Sequence, residues 1–295
     1  MTFAETKAAF NTFAGPQEFW RWYSARRDRS RACEAWIEQH DQILGYCDCC
    51  EAVVPLGVAS GATFDHHPSL REGLICPQGL SGRARLVFRV VKWIGVVADG
   101  RLLDLILYED LTPLRKAISR LPGVRAHCSL YHAEETSSGT AIVVNGNWTT
   151  HQDITASSYP DAAADIVMHC DVLEHIANYR AALAENLRIL KPGGLLLFTA
   201  PFFVQQPQTQ TLASQNSAGE ITHLIPYPEY HADPVRGQIL AYYRFGWSLL
   251  DDLRGAGFSG ARVLVEFDVF SGLTSNNNPY MDTGNMPPLM VVAMK

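Results

Sequence analysis

The chain has 295 residues, 47% hydrophobic and 18% charged, so it can bury a sizeable core and is not a disordered segment. Its formal net charge of -6 and pI near 5.9 argue against a phosphate-backbone partner, which demands a basic footprint. No stretch approaches the length of a membrane span, and the polar N-terminus lacks a signal-peptide apolar core; a cytoplasmic protein is expected.

Residues 1 to about 44 read as helices, with Gly15-Pro16 between two segments and Phe10, Phe13, Phe19, Trp20, Tyr23 and Trp36 as apolar anchors. The arginines at 21, 26, 27, 29 and 31 are interrupted by acidic residues and read as a solvated helix face. Seven cysteines, an odd number in a long chain, suit thiols and metal ligands better than a disulfide framework. Cys47-x-x-Cys50 has zinc-knuckle spacing, because two thiolates on a tight turn can fill two corners of a tetrahedron. The second half, Cys76-Pro77-Gln78-Gly79, is one cysteine short. Cys49, His66 or His67 could complete the set; alternatively the knuckle keeps its shape without metal, or the thiols are buried as small hydrophobes. Arg83 to Val97 reads as a helix with Arg83, Arg85 and Arg89 near one side.

Leu102 to Tyr108 is a buried-strand run ending at Glu109, a ligand candidate because ligands sit at the carboxyl ends of parallel strands. Thr112-Pro113 reads as an N-cap and first helical residue, and Pro122-Gly123 breaks that helix. Val124 to Tyr131 reads as a second strand, and Ile142 to Trp148, with Asn145-Gly146, as a hairpin. Ile166 to Met168 is a strand, Asp171 to His175 a strand-to-helix loop, and Tyr179 to Leu190 an amphipathic helix. Pro192-Gly193-Gly194 turns the chain into the buried run Leu195 to Thr199, completing a βαβ unit. Residues 204 to about 245 are polar and uneven, as in a substrate lid. A helix over Leu249 to Ala256 and strands over Ala261 to Val269 and Leu289 to Met294 follow. Ser271 to Pro288, with three consecutive asparagines, is a loop that borders a substrate pocket or merely connects.

The run DIVMHCDVLEHI followed by LRILKPGGLLLFTAPF resembles the second half of class I S-adenosylmethionine (SAM)-dependent methyltransferases. The resemblance implies an α/β fold, a Rossmann-like doubly wound, mostly parallel sheet, over residues 96–295, with a lid insertion at about 204–245. Leu70-Arg71-Glu72, Cys76-Pro77 and Gly79 to Arg85 resemble a zinc-ribbon-like module placed ahead of some of these domains. That makes residues 1–95 a helical and Cys-rich segment, with zinc on Cys47, Cys50 and Cys76. YEDLTP stands where most of the family has a Gly-rich loop; in the subgroup with the module an acidic residue and a capped helix stand there, which makes Glu109 and Thr112 cofactor contacts. His151 to Thr155 matches a D-I/L-T segment, so Asp153 would accept from the adenine amino group and Ile154 would donate its N–H to the ring. A turn-forming Asp153 is the alternative. Cys170, Asp171, Leu173 and His175 are the remaining implied cofactor contacts. The usual ribose carboxylate is replaced by Ser129-Leu130-Tyr131, with Glu134 and Glu135 further on, so ribose recognition is unassigned.

The implied function is methyl transfer from SAM to an O or N atom of a small-molecule or saccharide-type acceptor. Methyl transfer is an in-line displacement helped by a base when the acceptor is a hydroxyl. His231 is the first choice for that base and His175 the second, with His223 also in the presumed lid. A homodimer is admitted, and neither nucleic acid nor membrane is expected as a partner. The alternatives are a catalytically inactive SAM-binding module and a zinc-dependent interaction module.

Overall fold

The computed structural model describes residues 3–59, 63–64, 67–233, 235–274 and 288–295. Its framework elements, in chain order, are β1 (Asn11–Phe13), α1 (Gly82–Val97), β2 (Leu103–Leu107), α2 (Pro113–Ile118), β3 (Val124–Cys128), β4 (Ala164–Cys170), α3 (Tyr179–Ile189), β5 (Leu190–Thr199), α4 (Ser248–Ala256), β6 (Gly260–Val265) and β7 (Leu289–Met294). Two compact units result. One comprises Met1–Leu102, Thr112–Val124 and Arg262–Met290; the other comprises Leu103–Leu111, Arg125–Ala261 and Val291–Lys295.

In the first unit, the expectation of helices throughout residues 1–44 needs correction. Helices Phe3–Ala9, Pro16–Ser24 and Arg27–Ile37 are present, but so are β1 and a strand at Gln42–Cys47. β1 is too short to show a two-residue period. It is held by tertiary pairing, Asn11 opposite Val265 and Phe13 opposite Val263, and by the Glu266 carboxylate accepting the Asn11 N–H at 3.2 Å. The strand Gln42–Cys47 pairs antiparallel with Ala52–Val58, which pairs with Leu74–Ile75. Helix α1 locks this small sheet. Buried Arg85 donates to the carbonyls of Leu74 (2.5 Å), Leu80 (3.1 Å), Ser271 (3.3 Å) and Gly272 (2.8 Å). One turn on, Arg89 pairs with Asp48 at 2.7 Å. His66 and most of the Ser271–Pro288 loop, its three asparagines included, lie outside the described residues.

In the second unit, neighbouring strands run in the order β3, β2, β4, β5, β7. β2, β4 and β5 are parallel neighbours, and β7 is antiparallel to β5. The chain leaves β2 toward one side and later enters β4 on the other, so β2 and β4 flank a topological switch point. The five residues Val167, Met168, Leu196, Leu197 and Phe198 are fully buried, as continuous apolar runs in a parallel sheet should be. Pro192-Gly193-Gly194 does not stop the helix or turn the chain: α3 ends at Ile189, β5 begins at Leu190, and the triplet bulges that strand. Ala164 faces Leu190 and Ile166 faces Leu195, so five steps along β5 match two along β4. A side chain at Gly194 would sit 2.9 Å from the Lys191 carbonyl and 3.0 Å from that of Asp165. The bulge presents Lys191 to Asp165 at 2.8 Å and to Asp104 at 3.1 Å. Burial alone would raise the Asp104 carboxyl; hydrogen bonds from Arg125, Lys191 and His127 instead hold it down at about 2. The ammonium of Lys295 caps the same region, donating to the carbonyls of Leu187 and Leu190 at 2.7 Å each.

His169 sits fully buried in β4, stacked on Phe198 with ring centroids 4.9 Å apart, and neither ring nitrogen has a hydrogen-bond partner among the described residues. Burial pushes its pKa down to about 3 from the usual 6.5. The unfolded chain therefore binds a proton that the folded chain refuses, and stability falls as pH drops from about 6.5 toward 3, at up to ~1.4 kcal/mol per pH unit. His169→Leu should flatten this slope in urea melts across that range; an unchanged slope would show that His169 is not the proton acceptor.

Candidate functional site

The carboxyl ends of the second unit's parallel strands converge two loops. After β2 comes Tyr108-Glu109-Asp110-Leu111, where Leu111 holds φ = 64°. After β4 comes Asp171, with φ = 49°, leading into a 3₁₀ turn at Leu173–His175. A left-handed conformation at two non-glycine residues costs each on the order of 1 kcal/mol, and such strain gathers at ligand clamps. Both loops are tied down. Asp110 accepts from the Thr149 hydroxyl at 2.6 Å and from the Leu111 N–H at 2.8 Å. Asp171 accepts from the Thr199 hydroxyl at 3.0 Å and donates its N–H to the Thr199 carbonyl at 2.9 Å.

The residues singled out from the sequence are distributed unevenly around these loops. Glu109, Cys170 and Asp171 are half-buried at the strand ends, while the Leu173 side chain is fully buried, leaving only its backbone to a ligand. Thr112 lies in the first unit, where its hydroxyl accepts the Arg115 N–H at 3.2 Å and caps α2. Asp153 forms a turn: its Oδ1 accepts both the N–H and the hydroxyl of Thr155, at 2.7 Å each. Ile154 beside it is buried. Past β3, Leu130 bridges to His151 in parallel fashion, and no carboxylate stands at Ser129, Leu130 or Tyr131. Glu134 and Glu135 are exposed in a following turn. The Tyr131 ring instead lies under the Arg236 guanidinium at 5.1 Å.

His175 and His231 come together. Residues 204–245 contain short antiparallel pairs, one of them the hairpin Tyr230–Asp233 with Gly237–Leu240. That hairpin places the His231 ring 4.9 Å from the His175 ring, nearly perpendicular at 87°. His175 Nδ1 is 2.8 Å from the Leu240 carbonyl, and the Glu174 carbonyl accepts the Tyr242 N–H at 2.7 Å. His231 Nε2 is 2.9 Å from Glu229, which Arg244 also grips at 2.6 Å. The His231 hydrogen bond, then Arg244, hold the Glu229 carboxyl below its ordinary range although burial opposes them. His223, the third histidine considered, lies on the exposed strand of a separate hairpin, Ala213–Gln215 with Ile221–His223. Sequence reasoning left Glu174, Glu229 and Arg244 without roles. The signal was present in the two-residue spacing of Glu229 and His231, which puts both on one face of an extended chain.

In the first unit, Cys47, Cys50 and Cys76 bring three sulfurs within 4.8 Å of one another. Cys49 is not among them, and the His67 side chain lies outside what the structure describes. A hydrogen bond from the Cys47 thiol, helped by N–H groups of Leu80 and Gln78, brings Cys76 down to about 5 against the opposing effect of burial. Gly79, three residues after Cys76, holds φ = 82°, and a Cβ there would sit 3.2 Å from the Pro113 side chain.

Residues 129–198 match the family model described as "Methyltransferase domain". A probable S-adenosylmethionine-dependent methyltransferase of Mycolicibacterium smegmatis is 24% identical over 119 residues. Those residues are 38% of this chain, and the match spans 45% of that curated relative's length. Among solved structures, the chain is similar to an S-adenosylmethionine-dependent methyltransferase from Mesorhizobium loti, with 15% identity, 70% of this chain and 98% of that one covered, and a TM-score of 0.37. It is also similar to the 1,6-didemethyltoxoflavin-N1-methyltransferase of Burkholderia thailandensis, solved with 1,6-didemethyltoxoflavin and S-adenosylhomocysteine, with 12% identity, 70% and 77% covered, and a TM-score of 0.37.

Because burial opposes its charge and the Leu240 carbonyl only partly offsets that, His175 is pushed down to about 4. Its ¹⁵N resonances at pH 7 should therefore report a neutral ring protonated on Nδ1, charging only near pH 4. Titration near pH 6.5 would contradict the buried geometry.

Proposed function

We propose that the chain is a SAM-dependent methyltransferase, with SAM as its methyl donor. The observation that carries this reading is the overlap of the methyltransferase-domain match, residues 129–198, with the strand-end loop after β4 at the β2–β4 switch point. The donor lies across that point. Glu109 faces its methionine ammonium or ribose, and Cys170, Asp171 and the Leu173 backbone line its methionine side. At the adenine end, Ile154 offers its N–H and Asp153 its second carboxylate oxygen, since the first is engaged by Thr155. A backbone held by two strained residues replaces the Gly-rich loop in giving the donor a close approach. Bound SAM supplies an electrophilic methyl on a sulfonium; the chain supplies position and a base.

The acceptor is a small molecule or saccharide whose O or N attacks in line. It lies under the insertion at 204–245, in a domain taken as residues 96–295, and His231 removes the hydroxyl proton with His175 beside it. Cys47, Cys50 and Cys76 hold a zinc ion that fixes the fold of residues 1–95, the fourth position going to a ligand outside this trio. Soft thiolates on a knuckle-type turn suit zinc.

Two measurements test these assignments. Calorimetric titration with S-adenosylhomocysteine should show micromolar binding to the wild type, weakened about tenfold or more in Asp153→Ala. A well-folded wild type that does not bind would sink the enzyme reading and favour an interaction module. Elemental analysis of purified protein should give about one zinc per chain fewer in Cys50→Ser than in the wild type; equal zinc in both would remove the cysteines from the metal site.

A further inference from the structure

The geometry points to a divalent transition-metal site built by Glu174, His175 and His231, with an open coordination position for an oxygen of the acceptor. The acceptor part of this inference rests on the methyltransferase reading; the metal part does not.

The hydrogen bond on the far side of each ring decides which nitrogen faces inward. A backbone carbonyl can only accept, so His175 Nδ1 must donate to Leu240, and its Nε2 carries the lone pair. Glu229 is an ionised carboxylate held by Arg244, so His231 Nε2 donates to it and Nδ1 carries that ring's lone pair. His175 Nε2 lies 3.7 Å and His231 Nδ1 3.8 Å from Glu174 Oε1. Each of the three residues offers a ligand atom within 4.8 Å of those of the other two, and the Glu174 side chain is fully buried. Three electron-pair donors thus converge at separations too long for hydrogen bonds. The spacing is close to what a cation wants. Bonds of about 2.1 Å arranged tetrahedrally place neighbouring ligand atoms about 3.4 Å apart, so each ring nitrogen needs to move only a few tenths of an ångström toward Glu174.

The surroundings have the form of a metal site's outer shell. Each imidazole gives its other N–H to a carboxylate or a backbone carbonyl, which fixes the ring and raises its basicity. Two imidazoles and one carboxylate form the three-ligand set of open catalytic sites, suited to zinc and to iron, cobalt or nickel in the divalent state. An acceptor hydroxyl on the fourth position becomes more acidic and releases its proton to water. Its oxygen lone pair then forms the new O–CH₃ bond as the S–CH₃ electron pair returns to sulfur, leaving S-adenosylhomocysteine. With the cation seated, the His231 lone pair is engaged and water takes the proton; in the metal-free chain that lone pair is the base named above.

The test is cobalt(II) titration of the chelator-treated full chain, read as visible d–d absorption. The difference spectrum, wild type minus His231→Ala, isolates this site, because the variant keeps Cys47, Cys50 and Cys76. We expect a distinct d–d signal in that difference, a similar one against Glu174→Gln, and at least tenfold weaker cobalt binding in both variants. Acetohydroxamate, a small oxygen chelator, should shift the signal if a position is open. A flat difference spectrum with unchanged cobalt affinity in His231→Ala overturns the site whether or not Glu174→Gln folds. A signal indifferent to acetohydroxamate overturns the open position. S-adenosylhomocysteine titrated in parallel separates the two readings. A wild type that binds it but shows no cobalt difference loses the metal site alone, and one that shows the cobalt difference without binding it loses the transferase reading alone.

Discussion

An ammonium between two carboxylates governs how the second unit is put together. Lys191 reaches Asp165 and Asp104 at the entrances of β4 and β2, and Asp165 also accepts the Asp104 N–H at 2.9 Å. Those strands are buried on both faces, so nothing in their side-chain pattern alone sets how far one slides along the other. The charge bridge sets it from one end. The bulge at Lys191–Gly194 exists because Lys191 must turn back toward the carboxylates while β5 resumes its register at Leu195. Lys295 adds a second cation over the carbonyls that end α3, favourable against the helix dipole.

With the entrances clamped, the opposite ends are free to carry strain. Leu111 and Asp171 hold left-handed backbone at the exits of adjacent strands, and each loop is kept there by side-chain hydrogen bonds. The division within the parallel sheet is therefore one of ends: a charge clamp at the amino ends, strained backbone at the carboxyl ends.

Much of this sheet was legible in the sequence, because continuous apolar runs, a Pro-Gly-Gly break and an Asn-Gly turn are strong local signals. The Asn145-Gly146 hairpin joins Ala141–Val144 to Asn147–Thr150 with positive φ at both turn residues, as that dipeptide favours. What was not legible depends on distant partners. Asn11-Thr12-Phe13 becomes a strand only against Val263 to Val265. The convergence of His175 with His231 needs a hairpin fifty-odd residues away to fold back, and the buried carboxylate of Glu174 gains meaning only once both rings stand beside it. Asp153 illustrates the opposite case. One residue type serves a turn and a ligand equally well, and the turn hydrogen bonds to Thr155 are the ones present.

Residues 204–245 are stitched to the loop after β4. The Tyr242 N–H bonds to the Glu174 carbonyl, His175 bonds to the Leu240 carbonyl, and the Tyr243 hydroxyl bonds to the Ala177 carbonyl at 2.6 Å. Swinging that segment away as one body would break all three, at about 1 kcal/mol net each. With the Phe245 bonds to Pro201 and Phe203 also lost, an open form of that kind would hold well under about one molecule in a hundred at equilibrium. Exchange of a bulky molecule beneath it would then be gated by a rare fluctuation, while a molecule small enough to slip past the hairpin's edge would escape that gate. Residence time, not just fit, would sort large from small.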